Sequence, residues 1–138
     1  MSVGSNIDVV RSAYESFGSG NIPGLLETMS DDIKWTVPDI ENASFSGPRQ
    51  GKDALTEFFK LLAEEEDITR FEPLEFIAQD EKVVVIGETA ATVRATGNSY
   101  ETDWVHVMHL RDGRIAEFQE FFDTAAATRA FQKAATAS

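Results

Sequence analysis

The sequence predicts an α+β fold, with three helices laid on a curved, mostly antiparallel sheet of about five strands and a short helix at the C-terminal end. Three observations predict it. Helical periodicity dominates the chain up to Asp67, apart from one short strand. From Thr69 to Phe122 a loosely alternating segment at 69–79, a β-branched run at 83–94 and the two strand-like runs of a hairpin follow one another across short polar turns, the character that strands require. Within that region Asp112-Gly113 joins two alternating runs. Asp-Gly is the strongest short-range hairpin signal, because a type I′ turn needs positive φ at both central residues. Helices on one face of a strongly curved sheet leave a cone, and cones hold pockets.

Taken in order, residues 1–5 are small and polar and are expected to be loose. Ile7, Val10, Tyr14 and Phe17 recur at helical spacing, so a first amphipathic helix starts near Asn6 and ends at Gly18-Ser19-Gly20. Asn21 caps a second, short helix with Pro23 in its first turn and Ile22, Leu25, Leu26 and Met29 as its apolar stripe. Asp31-Asp32 reads as a turn. Ile33, Trp35 and Val37 alternate with Lys34 and Thr36, giving a strand over 33–37 with Trp35 inward, stopped by Pro38. Residues 38–50, broken by Gly47-Pro48, read as a loop able to act as a rim or lid. From Gly51 a third helix carries Leu55, Phe58, Phe59 and Leu62 on one face. Its acidic end, Glu64 to Asp67, opposes the helix dipole and is expected to be a solvated, frayed turn. Strands follow at 69–79 and 83–94, with turns at Asp80-Glu81 and Gly97-Asn98. After the hairpin, Asp123 is placed to cap a C-terminal helix beginning at Thr124.

The hairpin from Trp104 to Asp123 holds most of the candidate chemistry. Glu120 lies between Phe118 and Phe122 on one strand face. In an apolar cavity its carboxyl is desolvated and moved toward general-base values; on a rim or dimer face it is an ordinary carboxylate paired with an Arg. The simple register, Leu110 opposite Ile115, puts Val105, Val107 and His109 on the Glu120 face. A bulge that slips the register by one puts Trp104 and His106 there instead, and His106 is the better acid/base candidate. His106 and His109, three apart on a strand, face opposite ways and cannot chelate one metal together, so no metal site is predicted. Trp35 and Trp104 can stack on a flat ligand or simply fill core. For Asp123, capping explains the residue with fewer assumptions than catalysis.

Composition removes several function classes. One domain suffices for 138 residues, and a chain of that size buries roughly two thirds of its unfolded surface. With 42% hydrophobic residues it is no disordered chain. The absence of Cys removes thiolate metal sites, disulfides and cysteine nucleophiles and suits a reducing cytosol. No signal-peptide pattern and no apolar run approaching roughly 18 residues is visible, so the expectation is a cytoplasmic protein without a membrane span. A net charge of −12 with no basic cluster argues against nucleic acid and anionic lipid as partners. The sequence contains no Gly-rich phosphate loop, HExxH or GxSxG, which leaves nucleotide, zinc-protease and serine-hydrolase readings without support.

The two N-terminal helices, the segment DDIKWTVP, the helix start GKDALTEFF at Gly51 to Phe59 and above all HVMHLRDGRIAEFQEFFDT at 106–124 together resemble the nuclear transport factor 2-like (NTF2-like, cystatin-like fold) superfamily. Within it they resemble the SnoaL-like, polyketide cyclase-like and ketosteroid isomerase-related proteins. The resemblance implies a cone-shaped domain with a pocket; its members include ring cyclases, isomerases, dehydratases, epoxide hydrolases and non-catalytic binders. It carries the epoxide hydrolases' last-strand carboxylate onto Glu120. The strand 83–94 offers Glu88, Thr89 and Thr92 but not their Arg-x-Asp pair, and their water-positioning Tyr and Asn fall near Trp35 and Val37. Tyr14 stands in the helix that carries the isomerases' oxyanion tyrosine. The resemblance also favours the slipped register. The expected pocket is lined by Tyr14, Trp35, Phe58, Leu62, Trp104, His106, Glu120 and Phe122, with Glu120 as base and His106 as partner acid or orienter, acting on a small apolar ligand without a cofactor. The rival readings are a carrier of an apolar metabolite and a protein-interaction module. A homodimer through the outer sheet face, which bears Phe121, is expected because both hairpin faces are apolar.

Overall fold

The computed structural model describes residues 3–132. In chain order the elements are α1 (Val3–Gly18), α2 (Ile22–Glu27), β1 (Met29–Val37), β2 (Gly47–Gln50), α3 (Lys52–Glu65), β3 (Glu66–Gln79), β4 (Lys82–Val93), β5 (Ser99–Arg111), β6 (Arg114–Phe122) and α4 (Thr124–Phe131). The six strands form one curved sheet in the order β2-β1-β6-β5-β4-β3. Neighbours pair antiparallel except β1 and β6, which run parallel. The fold is the expected α+β arrangement with one strand more than the pattern suggested. The extra strand, β2, comes from the stretch read as loop. It sits at the sheet edge, where Pro48 removes no ladder donor that another strand needs, and Pro73 is tolerated on the opposite edge strand β3 for the same reason.

Several local expectations shift with the tertiary context. α1 begins at Val3, so residues 3–5 are helical, where the sequence suggested order only from Asn6. Asn21 caps α2 as expected, its side chain accepting from the Gly24 amide at 3.0 Å. Met29 and the Asp31-Asp32 pair belong to β1 and not to a helix stripe and a turn. The register of β1 against β6 slips across this stretch, which accommodates two acids whose partners are Lys52 and Arg111. The predicted C-terminal helix is present as α4, capped by Asp123, whose Oδ1 accepts from the Ala126 amide at 3.1 Å. Its continuation beyond 132 lies outside the described residues.

The hairpin β5–β6 sets the inner face. Asp112 and Gly113 adopt φ of 53° and 75°, as the type I′ turn demands. Leu110 pairs with Ile115 and His109 with Glu117, which leaves Ala116 as the extra residue of a bulge. From there the register is the slipped one: His106 faces Glu120 and Trp104 faces Phe122. Val107 and His109 point to the other face; His109 is half exposed with Glu81 at 3.8 Å.

The core lies between the helices and the inner face of the sheet. Val10, Ile33, Leu55, Val83 and Val85 are fully buried, and Trp35 stacks on Phe118 with ring centroids 3.6 Å apart. Gly87 is required by close approach. Trp104 lies across its Cα, and a Cβ there would fall 2.2 Å from the indole and 2.4 Å from the Glu72 carbonyl oxygen. On the outer face Ile77 and Phe121 remain 53% and 49% exposed.

Candidate active site

Between helices and sheet lies a cavity of about 110 Å³. The eight residues of the expected pocket line it: Tyr14 from α1, Trp35 from β1, Phe58 and Leu62 from α3, Trp104 and His106 from β5, Glu120 and Phe122 from β6. Strand alternation accounts for the sheet residues, since the even positions of β5 and β6 face inward once Ala116 has shifted the register. The helix residues come from the buried stripes of α1 and α3.

Three of these residues form one hydrogen-bonded line. The Tyr14 hydroxyl lies 2.7 Å from His106 Nδ1, and His106 Nε2 lies 2.7 Å from Glu120 Oε2. A carboxylate oxygen only accepts, so Nε2–H is the nitrogen turned to Glu120; in that tautomer Nδ1 accepts from the Tyr14 hydroxyl. Burial, with the Glu120 charge adding to it, pushes the Tyr14 phenol well above the usual tyrosine range, which keeps the hydroxyl protonated. The imidazole itself is 4% exposed and stacks on Trp104 with centroids 4.0 Å apart. Both its nitrogens are engaged and its plane is fixed. His106 therefore links the Tyr14 hydroxyl to Oε2 of Glu120. Glu120 is more open than a fully desolvated base, with its side chain 22% exposed.

A second carboxylate escaped the sequence reading. Glu66, expected within a solvated helix end, is 5% exposed. β3 starts at this residue, which turns it into the cavity wall, where the Tyr100 hydroxyl donates to its Oε2 at 2.5 Å. Burial raises the Glu66 carboxyl to about 7; Tyr100 opposes the rise, while Glu120 and Glu65 add to it. Burial also holds the Tyr100 phenol above its usual range. Continuing the even-numbered alternation of β5 back from His106 through Trp104 and Thr102 reaches Tyr100, a signal the sequence did carry. Glu66 carried none, because four consecutive acids mask its face.

The rim is tied to its surroundings by hydrogen bonds and packing. Ser46 bridges both backbone groups of Ile40, the Ser44 amide donates to the Glu65 carboxylate at 3.0 Å, and Phe45 packs into the cavity wall. No Lys or Arg lines the cavity, and among the described residues no group of three or more His, Asp or Glu is placed to hold a metal. The indole N–H groups of Trp35 and Trp104 are buried without an acceptor in the described structure.

The model of the SnoaL-like domain family matches residues 10–118. The chain belongs to the SnoaL-like family of the NTF2-like superfamily. Solved structures agree with that assignment. An NTF2-like protein from Burkholderia xenovorans LB400 is 32% identical with a TM-score of 0.87, and one of unknown function from Burkholderia pseudomallei K96243 is 32% identical with a TM-score of 0.86. Each pairing covers 96% of this chain and 99% of the other. TerC, co-crystallised with polyporic acid, is 29% identical with a TM-score of 0.84, covering 92% of this chain and 98% of TerC. No curated protein matches. The SnoaL-like family thus accounts for the fold, while the same fold carries different chemistries in different members.

Proposed function

We propose that this SnoaL-like domain is a cofactor-independent acid/base enzyme that removes a proton next to a carbonyl of a small, largely apolar ligand. The outcome is isomerisation, cyclisation or loss of water. The observation that carries the reading is the line Tyr14–His106–Glu120 set into an aromatic cavity. Glu120 acts as base through its free oxygen. His106 is the positioning residue, and the Tyr14 hydroxyl fixes its tautomer. Trp35, Trp104, Phe58, Leu62 and Phe122 hold the apolar part of the ligand, as aromatic walls with a few polar groups do in small-molecule sites. TerC's co-crystallisation with polyporic acid supports a small organic ligand for this cavity as well. The strand 83–94 offers Glu88, Thr89 and Thr92 but no Arg-x-Asp pair, which leaves epoxide hydrolysis unsupported.

One observation favours a carrier instead: both His106 nitrogens are engaged and most of the wall is apolar. The same reading includes a cytoplasmic homodimer joined through the outer sheet face, where Ile77 and Phe121 are exposed. A thermal-shift screen of steroids, polyketide-like aromatics and terpenoid epoxides, followed by turnover assays, separates enzyme from carrier. Turnover lost in Glu120→Gln is the expected result. Binding without turnover in any hit selects the carrier, and turnover unchanged in Glu120→Gln removes Glu120 as the base.

A further inference from the structure

The line from Tyr14 to Glu120 does not use the other acid in the cavity wall. Glu66 opens β3 and is nearly fully buried, and only one of its oxygens is occupied, by the Tyr100 hydroxyl. The other has no hydrogen-bond partner among the described residues. A carboxyl group brought into an apolar interior is costly unless its lone pairs and proton are engaged, so half of this group is left over in the wall of a cavity. Its place is distinct from that of Glu120. Tyr100, Thr102, Trp104 and His106 alternate along the inner face of β5, so Tyr100 and His106 stand at different levels of the cavity with Trp104 between them. No hydrogen bond joins the two polar groups. With Glu66 raised to about 7 by burial, a proton is available on it near neutrality. Two carboxyl groups in different surroundings within one cavity divide naturally into one that accepts and one that donates.

We infer that Glu66, held by Tyr100, is a second ligand-contacting group whose free oxygen makes a hydrogen bond with an uncharged oxygen of the ligand, away from the point that meets Glu120. The inference rests on the acid/base reading of this cavity and narrows its ligand class. The ligand is an uncharged ring compound with oxygen functions at two separated positions. A carboxylate ligand is turned away, because it would be desolvated beside two acids with no Lys or Arg in the lining.

Calorimetric titration of the full chain with 2-naphthol, 2,6-dihydroxynaphthalene and 6-hydroxy-2-naphthoate tests this. In the wild type the second hydroxyl is expected to tighten binding about tenfold, the worth of one hydrogen bond to a carboxyl group, and the carboxylate is expected to bind more weakly than 2-naphthol. In Glu66→Leu the gain from the second hydroxyl disappears while 2-naphthol still binds; in Glu66→Gln most of the gain remains. If the Leu variant does not fold, Tyr100→Phe takes its place and is expected to shrink the same gain. An equal gain in wild type and variant, or tightest binding by the carboxylate, overturns the inference; the Glu120 site then still stands if Glu120→Gln weakens 2-naphthol. Binding of none of the three at millimolar concentration overturns both.

Discussion

At the scale of single residues, what matters is how each polar group in the cavity is satisfied. Tyr14→Phe removes the donor to His106 Nδ1 and leaves a buried acceptor unpaired. A loss of about 1–3 kcal/mol in urea unfolding is expected, and an unchanged midpoint would mean that the hydroxyl holds nothing. Glu66 makes a prediction about pH. Its carboxyl is raised in the folded chain to about 7, so between the ordinary carboxylate value and 7 the folded state binds more protons than the unfolded one. Stability from this group is therefore greatest at low pH and falls as pH rises through 7. Glu66→Gln, neutral throughout, is expected to exceed the wild type by about 1–3 kcal/mol at pH 8 and to differ little at pH 4; the opposite trend would place Glu66 in an ion pair. Among the residues, Trp35 was legible because strand alternation needs only the sequence, and Glu120 because it sits between Phe118 and Phe122 on one strand face; Trp104 and His106 join that face only in the slipped register, which resemblance favoured. Glu66 was not legible, since its burial comes from where α3 stops and β3 starts, and four adjacent acids give no periodicity to read.

At the scale of elements, the β5–β6 hairpin decides which side chains meet. Its turn was legible in Asp112-Gly113. Its bulge was not fixed by the residues themselves, because both registers put large apolar groups on both faces; resemblance to relatives favoured the register that Ala116 produces. Deleting Ala116 is expected to turn Glu120 and Phe118 outward, or to unfold the chain, with a loss of at least about 3 kcal/mol. Wild-type stability with the cavity intact would show that the bulge is incidental. Edge strand β2 was missed because Gly47-Pro48 reads as a breaker, although an edge tolerates Pro. Between β4 and β5, Gly87→Ala drives a methyl group into the Trp104 indole and the Glu72 carbonyl. It is expected to cost about 1–3 kcal/mol or more and to shift the tryptophan fluorescence.

For the whole molecule, the acidic sheet cone has one face closed by helices and one left open. Along the outer face Ile77, Val84 and Val107 form one cross-strand row, and Ile86, Val105 and Phe121 the next. Contiguous exposed apolar rows mark interaction surfaces, and a second copy is the occupant proposed for this one. Light scattering is expected to give twice the chain mass for the wild type and the chain mass for Phe121→Lys. The cavity itself is an outcome of the whole fold, since its lining is drawn from α1, α2, α3 and five of the strands. The central claim about that cavity is that Glu120 takes a proton from carbon beside a carbonyl. Deuterium uptake at the α-carbons of 2-tetralone in D2O, followed by NMR, reads that step without knowledge of the natural substrate. Uptake well above the buffer rate is expected with the wild type and a return to the buffer rate with Glu120→Gln; bound 2-tetralone exchanging no faster than in buffer, or equally fast in both proteins, would rule out Glu120 as the base.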